Sequence, residues 1–184
     1  MRNSSVALLF ALSLLVAVPA DAVTIRDLEV THHDGTYLVV FDVLVDVPQA
    51  RARAMLLDYR QWPQLSDTLK ETRLLTTFPD GRQRIWLSSR ACVLVFCRKI
   101  QQVKDLVEDS NGDIVIKFVH GDFQSGWERW RIRSEQDRIR VQYRAELAPS
   151  FYIPPVIGSW LLKANLRTKV IVTAEKMEAL SSGN

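Results

Sequence analysis

From residue 70 to residue 147 the chain reads as one strand after another, and it then closes with a single long apolar helix. Six strand-like runs can be separated, at 70–77, 82–91, 99–108, 114–120, 127–133 and 138–147. Turn clusters divide them, among them Pro79-Asp80-Gly81, Ser110-Asn111-Gly112-Asp113 and Ser134-Glu135-Gln136-Asp137. Many strands and one long helix leave few ways to bury apolar surface. The sheet must be antiparallel and must curl its greasy face around the helix. A strongly curved sheet closed by one helix encloses space, and enclosed apolar space points to an apolar guest.

The last hairpin displays the two faces most clearly. Glu128, Trp130 and Ile132 share one side of the first strand, and Ile139, Val141, Tyr143 and Ala145 supply the matching side of the second. The opposite sides carry Arg129, Arg131, Arg133, Arg138, Arg140 and Arg144. Such period-two alternation places one side on the core and the other in water. Two further strands precede the six, at 23–30 and 37–45, joined around His33-Asp34-Gly35. Apolar residues dominate both sides of the run 37–45, which predicts cover on both of its faces. Asp46-Val47-Pro48 opens a short helix that Pro63 ends, and 65–69 reads as a second short helix. A breaker-rich but apolar loop, 149–158, leads into a final helix of about twenty residues. Its apolar side is expected to be Ile157, Trp160, Leu161, Ala164, Val170, Ile171, Ala174 and Met177.

The first 22 residues are not expected to join this fold. Arg2, the apolar or small-residue run from Val6 to Val18, and Ala20-Asp21-Ala22 together form a secretory signal with its cleavage site. The run is too short to span a bilayer. The expected organisation is a signal peptide at 1–22, one domain at 23–180 and a frayed tail at 181–184. Export predicts a periplasmic or secreted protein in an oxidising compartment. The charge balance is mild, 24 basic against 21 acidic residues. Nucleic acid is not an expected partner of an exported chain, whereas an anionic membrane surface or an acidic partner stays open.

The mature chain has two cysteines, Cys92 and Cys97. Along one straight strand they would stand about 16 Å apart, too far to bond. A disulfide therefore requires a turn between them, with the apolar residues 93–96 at its tip. The other reading is a continuous buried strand with two free thiols. The export signal favours the bridge.

No catalytic motif stands out. His32, His33 and His120 have no acidic or thiol partner at ligand spacing, and no nucleophile elbow, P-loop or dinucleotide fingerprint is present. No metal and no cofactor is expected. Glu128 is the one weak candidate for acid–base work, because it shares a side with Trp130 and Ile132, and a buried carboxylate needs a partner. It is expected to pair with an arginine or to lie at the end of the sheet. Asp42 and Tyr143 are further candidates should the protein be an enzyme. Phe118, Trp130, Tyr143, Ile157, Trp160 and Leu161 are the candidate lining for an apolar ligand.

Two local segments carry a resemblance. Leu57-Asp58-Tyr59-Arg60-Gln61-Trp62-Pro63-Gln64-Leu65 resembles the D-[YF]-x-x-[WY]-P segment of the StAR-related lipid-transfer, polyketide cyclase and coenzyme Q-binding superfamily. Val45-Asp46-Val47-Pro48-Gln49-Ala50 is similar to the strand-to-helix entry of the same superfamily. The order of elements matches over nearly the whole mature chain. The resemblance implies the α+β helix-grip fold: a curved antiparallel sheet wrapped around a long C-terminal helix, with two short helices after the first strands. It also implies a hydrophobic cavity between sheet and helix. Members carry lipids, quinones or polyketides, and some are enzymes. The expected function is binding or carriage of a hydrophobic small molecule. A cyclase or dehydratase acting on such a molecule, and an interaction module with a filled core, are the alternatives.

Overall fold

A computed structural model describes residues 23–93, 96–153 and 155–183; for Val93, Phe96 and residues 155–157 it describes the backbone alone. The run read as a signal peptide lies outside the described residues. So do the centre of the apolar tip, 94–95, and the side chain of Ile157.

Eight strands form one antiparallel sheet. They are β1 (Val23–His33), β2 (Thr36–Val45), β3 (Leu69–Thr77), β4 (Gln83–Val93), β5 (Phe96–Glu108), β6 (Ile114–Gly121), β7 (Phe123–Glu135) and β8 (Arg138–Pro149). Their spatial order is β1-β2-β8-β7-β6-β5-β4-β3. The chain leaves β2 in the sheet, crosses to the far edge through two short helices, and returns strand by strand until β8 pairs with β2. The helices are α1 (Gln49–Leu57) and α2 (Trp62–Leu65), with a 3-10 turn at Tyr59–Gln61 between them. The last helix, α3, runs Pro155–Ser182. It has 28 residues against the twenty expected, and it takes up part of the tail. The strand that the sequence marks at 127–133 starts earlier, at Phe123, because β8 pairs with it as far as Pro149.

Local chemistry accounts for the junctions. The β1–β2 turn uses Asp34 at φ 47° and Gly35 at φ 76°, the two positive values that a two-residue hairpin needs to match the strand twist. Pro48 stands just before α1, and its carbonyl accepts from the N–H groups of Arg51 and Ala52. Asp58 ends α1 and starts the next turn, accepting from the Arg60 N–H at 3.2 Å and from Gln61 Nε2 at 3.1 Å. The hydrogen bond from the Arg60 side chain holds the Asp58 carboxyl below its ordinary pKa. Trp62 Nε1 then donates to the Leu56 carbonyl at the C-terminal end of α1. The Asp-Tyr-x-x-Trp-Pro segment is thus a self-capping elbow between two short helices. The second helix lies at Trp62–Leu65 rather than at 65–69, because Pro63 fits the first turn of a helix as well as it ends one.

The concave side of the sheet holds the core. Phe41, Val43 and Val45 of β2, Ile114 and Ile116 of β6, Ile132 of β7, and Ile139 and Val141 of β8 pack with Ala52, Met55 and Leu56 of α1 and Val170, Ala174 and Met177 of α3. A second cluster joins Val30, Tyr37, Val39 and Ala145, with Leu162 and Leu166 of α3 against it. The inward stripe of α3 is therefore Leu162, Leu166, Val170, Ala174 and Met177. The expected stripe lay one step off at its N-terminal half: Trp160 is 72% exposed and Ala164 is also exposed. Residues 160, 163, 164 and 167 share the neighbouring helical face, which looks toward the edge strand β1.

Tyr37 is 4% exposed, and its hydroxyl has no hydrogen-bond partner among the described residues. It presses on the start of α3, where a side-chain carbon on Gly158 would meet the oxygen at 2.9 Å. An unpaired buried hydroxyl costs free energy that phenylalanine would not. Tyr37→Phe is expected to stabilise the protein by about 1 kcal/mol, read as a higher urea midpoint. A midpoint that stays or falls would mean the hydroxyl is satisfied.

The convex side corrects two expectations. The outer side of β2 is not covered by a second layer, for Leu38, Val40 and Leu44 stay half-buried. Nor are the arginines simply solvated. Arg131 and Arg133 converge on Asp113, whose side chain is 0% exposed, with Nη2···Oδ distances of 2.8 and 2.9 Å. Arg140 Nε donates to Asp42 at 2.9–3.0 Å. Arg82 and Arg84 hold the buried Asp105 in the same way. Arg129 and Arg144 face each other directly across β7 and β8, with no acidic partner among the described residues.

Candidate functional site: a polar inset in an aromatic wall

The register brings Phe118 of β6, Trp130 of β7 and Tyr143 of β8 onto the concave side, together with Phe41 of β2. Phe41 and Tyr143 stack with ring centroids 4.6 Å apart. The Trp130 ring lies 4.4 Å from Tyr143 and 5.7 Å from Phe41. Phe118, Trp130 and Tyr143 are all half-buried. Tyr143 keeps part of its surface accessible, between the rings of Phe41 and Trp130.

Glu128 lies in this wall and is paired, but not with an arginine. Its carboxylate takes the Lys104 ammonium as its ion partner and stands close enough to the Tyr143 phenol to act on its ionisation. The Lys104 and Glu128 side chains are 13% and 12% exposed. The Lys104 ammonium also stands 4.1 Å from the centroid of the Phe118 ring, where the ring's negative face favours a cation. Burial, and then the neighbouring carboxylate, push the Tyr143 phenol well above its ordinary pKa, so it is a neutral donor. The result is one ammonium, one carboxylate and one phenol joined within an apolar surface.

Gly126 shapes this surface. The Phe118 ring leans over it, so that a methyl group there would come within 2.7 Å of Phe118 Cδ2 and 2.8 Å of the Glu146 carbonyl oxygen. Gly126→Ala is expected to displace Phe118 from Lys104 and to destabilise the protein by about 1–3 kcal/mol. A thermal melt matching the wild type would count against that packing.

Lys104 escaped the sequence reading, which took Glu128 alone. The signal was present in parity: Ile100, Gln102, Lys104 and Leu106 alternate with Gln101, Val103, Asp105 and Val107. Both sides of that strand are mixed, so neither announced itself as interior. Asp42 leaves the set of acid–base candidates, since it belongs to the convex side with Arg140. Trp160 and Leu161 are not brought to the aromatic wall. Trp160 instead lines a shallow groove of about 330 Å³ with Ile25, Arg26 and Leu28 of β1 and Lys163 and Arg167 of α3. Leu161 is half-buried outside both packed clusters.

Cys92 and Cys97 are directly opposed across β4 and β5 and form a disulfide, with Cα atoms 4.0 Å apart. β4 and β5 run antiparallel here, as the bridge requires. Arg98, next to Cys97, places its guanidinium 4.4 Å from the Phe151 ring and 3.3 Å from Asp122. The crosslinked hairpin and the apolar loop before α3 therefore meet at one rim, where Tyr152 is strongly exposed. Among the described residues no group of histidine, cysteine and acidic side chains could hold a metal ion, and no helix is long and apolar enough to cross a membrane.

The sequence model of the polyketide cyclase / dehydrase and lipid transport family matches residues 45–174. The chain belongs to this family. Solved structures agree in fold. A START superfamily protein from Mycobacterium smegmatis superposes with a TM-score of 0.66 at 17% identity, over 78% of this chain and 98% of that one. An aromatase/cyclase from a Streptomyces species gives 0.63 at 12% identity, over 80% and 94%. A StAR-related lipid transfer protein from Xanthomonas axonopodis gives 0.56 at 13% identity, over 86% and 99%. No curated protein matches. The fold is the helix-grip fold of START-like proteins. Its family supports two kinds of activity, hydrophobic-ligand binding and cyclase or dehydrase chemistry.

Proposed function

We propose that the protein is an exported binding or carrier protein for a hydrophobic small molecule, such as a lipid, isoprenoid or quinone, held between the concave sheet and α3. One observation carries this reading: Lys104, Glu128 and Tyr143 are set together as a small polar inset within an apolar, aromatic wall. A ligand site needs that pairing, with apolar burial for affinity and a few polar groups for orientation. Phe118, Trp130 and Tyr143 are the wall in this reading. Leu162 and Leu166 take the place on α3 that the sequence assigned to Trp160 and Leu161. The Cys92–Cys97 bridge supports export, because a disulfide persists in an oxidising compartment. The rim of Arg98, Phe151 and Tyr152 is the edge that would touch a membrane surface during exchange.

Native mass spectrometry of the protein purified from the periplasm tests the proposal. A co-purifying mass that organic solvent removes is the expected result. A clean apo mass, with no uptake from a total lipid extract, would sink it.

One observation favours the second reading, an enzyme of the cyclase or dehydrase kind. Tyr143, kept protonated, neighbours the Glu128 carboxylate on the concave side, which is the pairing of groups an acid–base site needs. Glu128→Gln separates the two. A carrier keeps most of its ligand affinity, whereas an acid–base enzyme loses turnover.

A further inference from the structure

The charge of the inset restricts what can lie against it. Lys104 and Glu128 cancel, and Tyr143 is neutral. The other side chains that β2, β6, β7 and β8 share on this side are uncharged: the register sets Val39, Phe41, Ala145, Leu147, Ile116 and Phe118 around the inset. The stripe of α3 that faces the sheet, from Leu162 to Met177, is uncharged too. Among the described residues of these strands and this stripe, no cation is left over to neutralise an incoming anion.

The hydrogen-bonding inventory restricts it further. The Glu128 carboxylate already accepts from Lys104. The Lys104 ammonium has three N–H groups. One is engaged by Glu128 and one side of the ammonium faces the Phe118 ring, which leaves a donor for an oxygen.

From this balance we propose that the site selects an apolar molecule whose buried end is an uncharged oxygen acceptor, a ketone or quinone carbonyl first and a hydroxyl second, and that it discriminates against carboxylate and phosphate ends. The inference rests on the hydrophobic-ligand reading and names its substrate class. An added anion would leave the inset with a net negative charge beside Glu128, in surroundings where charge is poorly screened. A carbonyl takes the free Lys104 donor and adds no charge.

The test is a matched ligand series on the wild-type protein: methyl undecyl ketone, lauryl alcohol, laurate and lauryl phosphate. Binding is followed by isothermal titration calorimetry and by quenching of tryptophan emission. The ketone and the alcohol are expected to bind, with laurate and lauryl phosphate weaker by about tenfold or more. In Glu128→Gln, which leaves Lys104 as an uncancelled cation, the order is expected to reverse in favour of laurate. Anions that bind the wild type as tightly as the ketone overturn this inference and leave the hydrophobic-ligand reading standing. Failure of all four ligands, together with a clean apo mass from the periplasm, removes the hydrophobic-ligand reading and this one with it.

Discussion

Lys104→Met is expected to destabilise the protein by about 3–5 kcal/mol, and adding Glu128→Leu in the same chain is expected to recover most of the loss. The reason is asymmetric. The pair sits in an aromatic wall with little access to water, so the attraction between its members mostly offsets the cost of desolvating them. Removing the lysine leaves the carboxylate without its hydrogen-bonded cation. Removing both leaves an apolar surface of similar volume. Urea denaturation of the wild type, the two single variants and the double variant closes a double-mutant cycle. A Lys104→Met loss within a few tenths of a kcal/mol of zero would show that water reaches the pair freely, and the inner-wall assignment would fail.

The second large effect lies on the opposite face. Asp113→Asn is expected to destabilise the protein by about 2–3 kcal/mol at neutral pH, because two charge-assisted interactions to a fully buried carboxylate are lost. It should also change the acid limb. The hydrogen-bonded Arg131 holds the Asp113 carboxyl below the ordinary carboxylate range, and Arg84 does the same for Asp105. Each group therefore binds a proton more readily in the unfolded chain, near pH 3.9, than in the folded one. Stability from these pairs is complete above that unfolded value and drains away as the pH falls through it toward the lower folded values. Wild-type stability should thus fall steeply below about pH 4. The Asp113→Asn variant should start lower and fall less steeply. Circular dichroism melts across that range check both parts. Parallel acid limbs for wild type and variant would mean that Asp113 is not linked to acid unfolding.

Much of the site's setting was legible in the sequence for a simple reason. In a strand, a side chain's face follows from its parity, so the sequence alone places Glu128, Trp130 and Tyr143 together. The same rule placed the arginines outside. Parity does not tell which strands lie side by side beyond a hairpin, so the acids that collect those arginines, Asp42 on β2, Asp105 on β5 and Asp113 beside β6, were invisible as partners. Lys104 was missed for the same reason. Its strand lies two positions from Glu128 across the sheet, with β6 between them, and its mixed polarity marked no interior side. Helices are less forgiving. Trp160 and Leu162 differ by two positions and so lie about 200° apart around α3. Choosing the larger aromatic as the inward residue shifted the whole first half of the stripe.

Local composition determined a great deal here. The turn chemistry at Asp34-Gly35, the self-capping elbow at Asp58 to Pro63, the meander of six strands and the one long helix all follow from short-range rules. Those elements can bury their apolar sides together in few ways, and family and fold follow with them. Tertiary structure alone decided which polar side chains meet. Partners more than twenty residues apart come into contact only when strand order and register are set, and burial then gives a Lys104–Glu128 contact a weight that it would not have in water. The charge balance of the inner wall, and with it the kind of ligand the wall accepts, is a property of that closed arrangement and of no segment by itself.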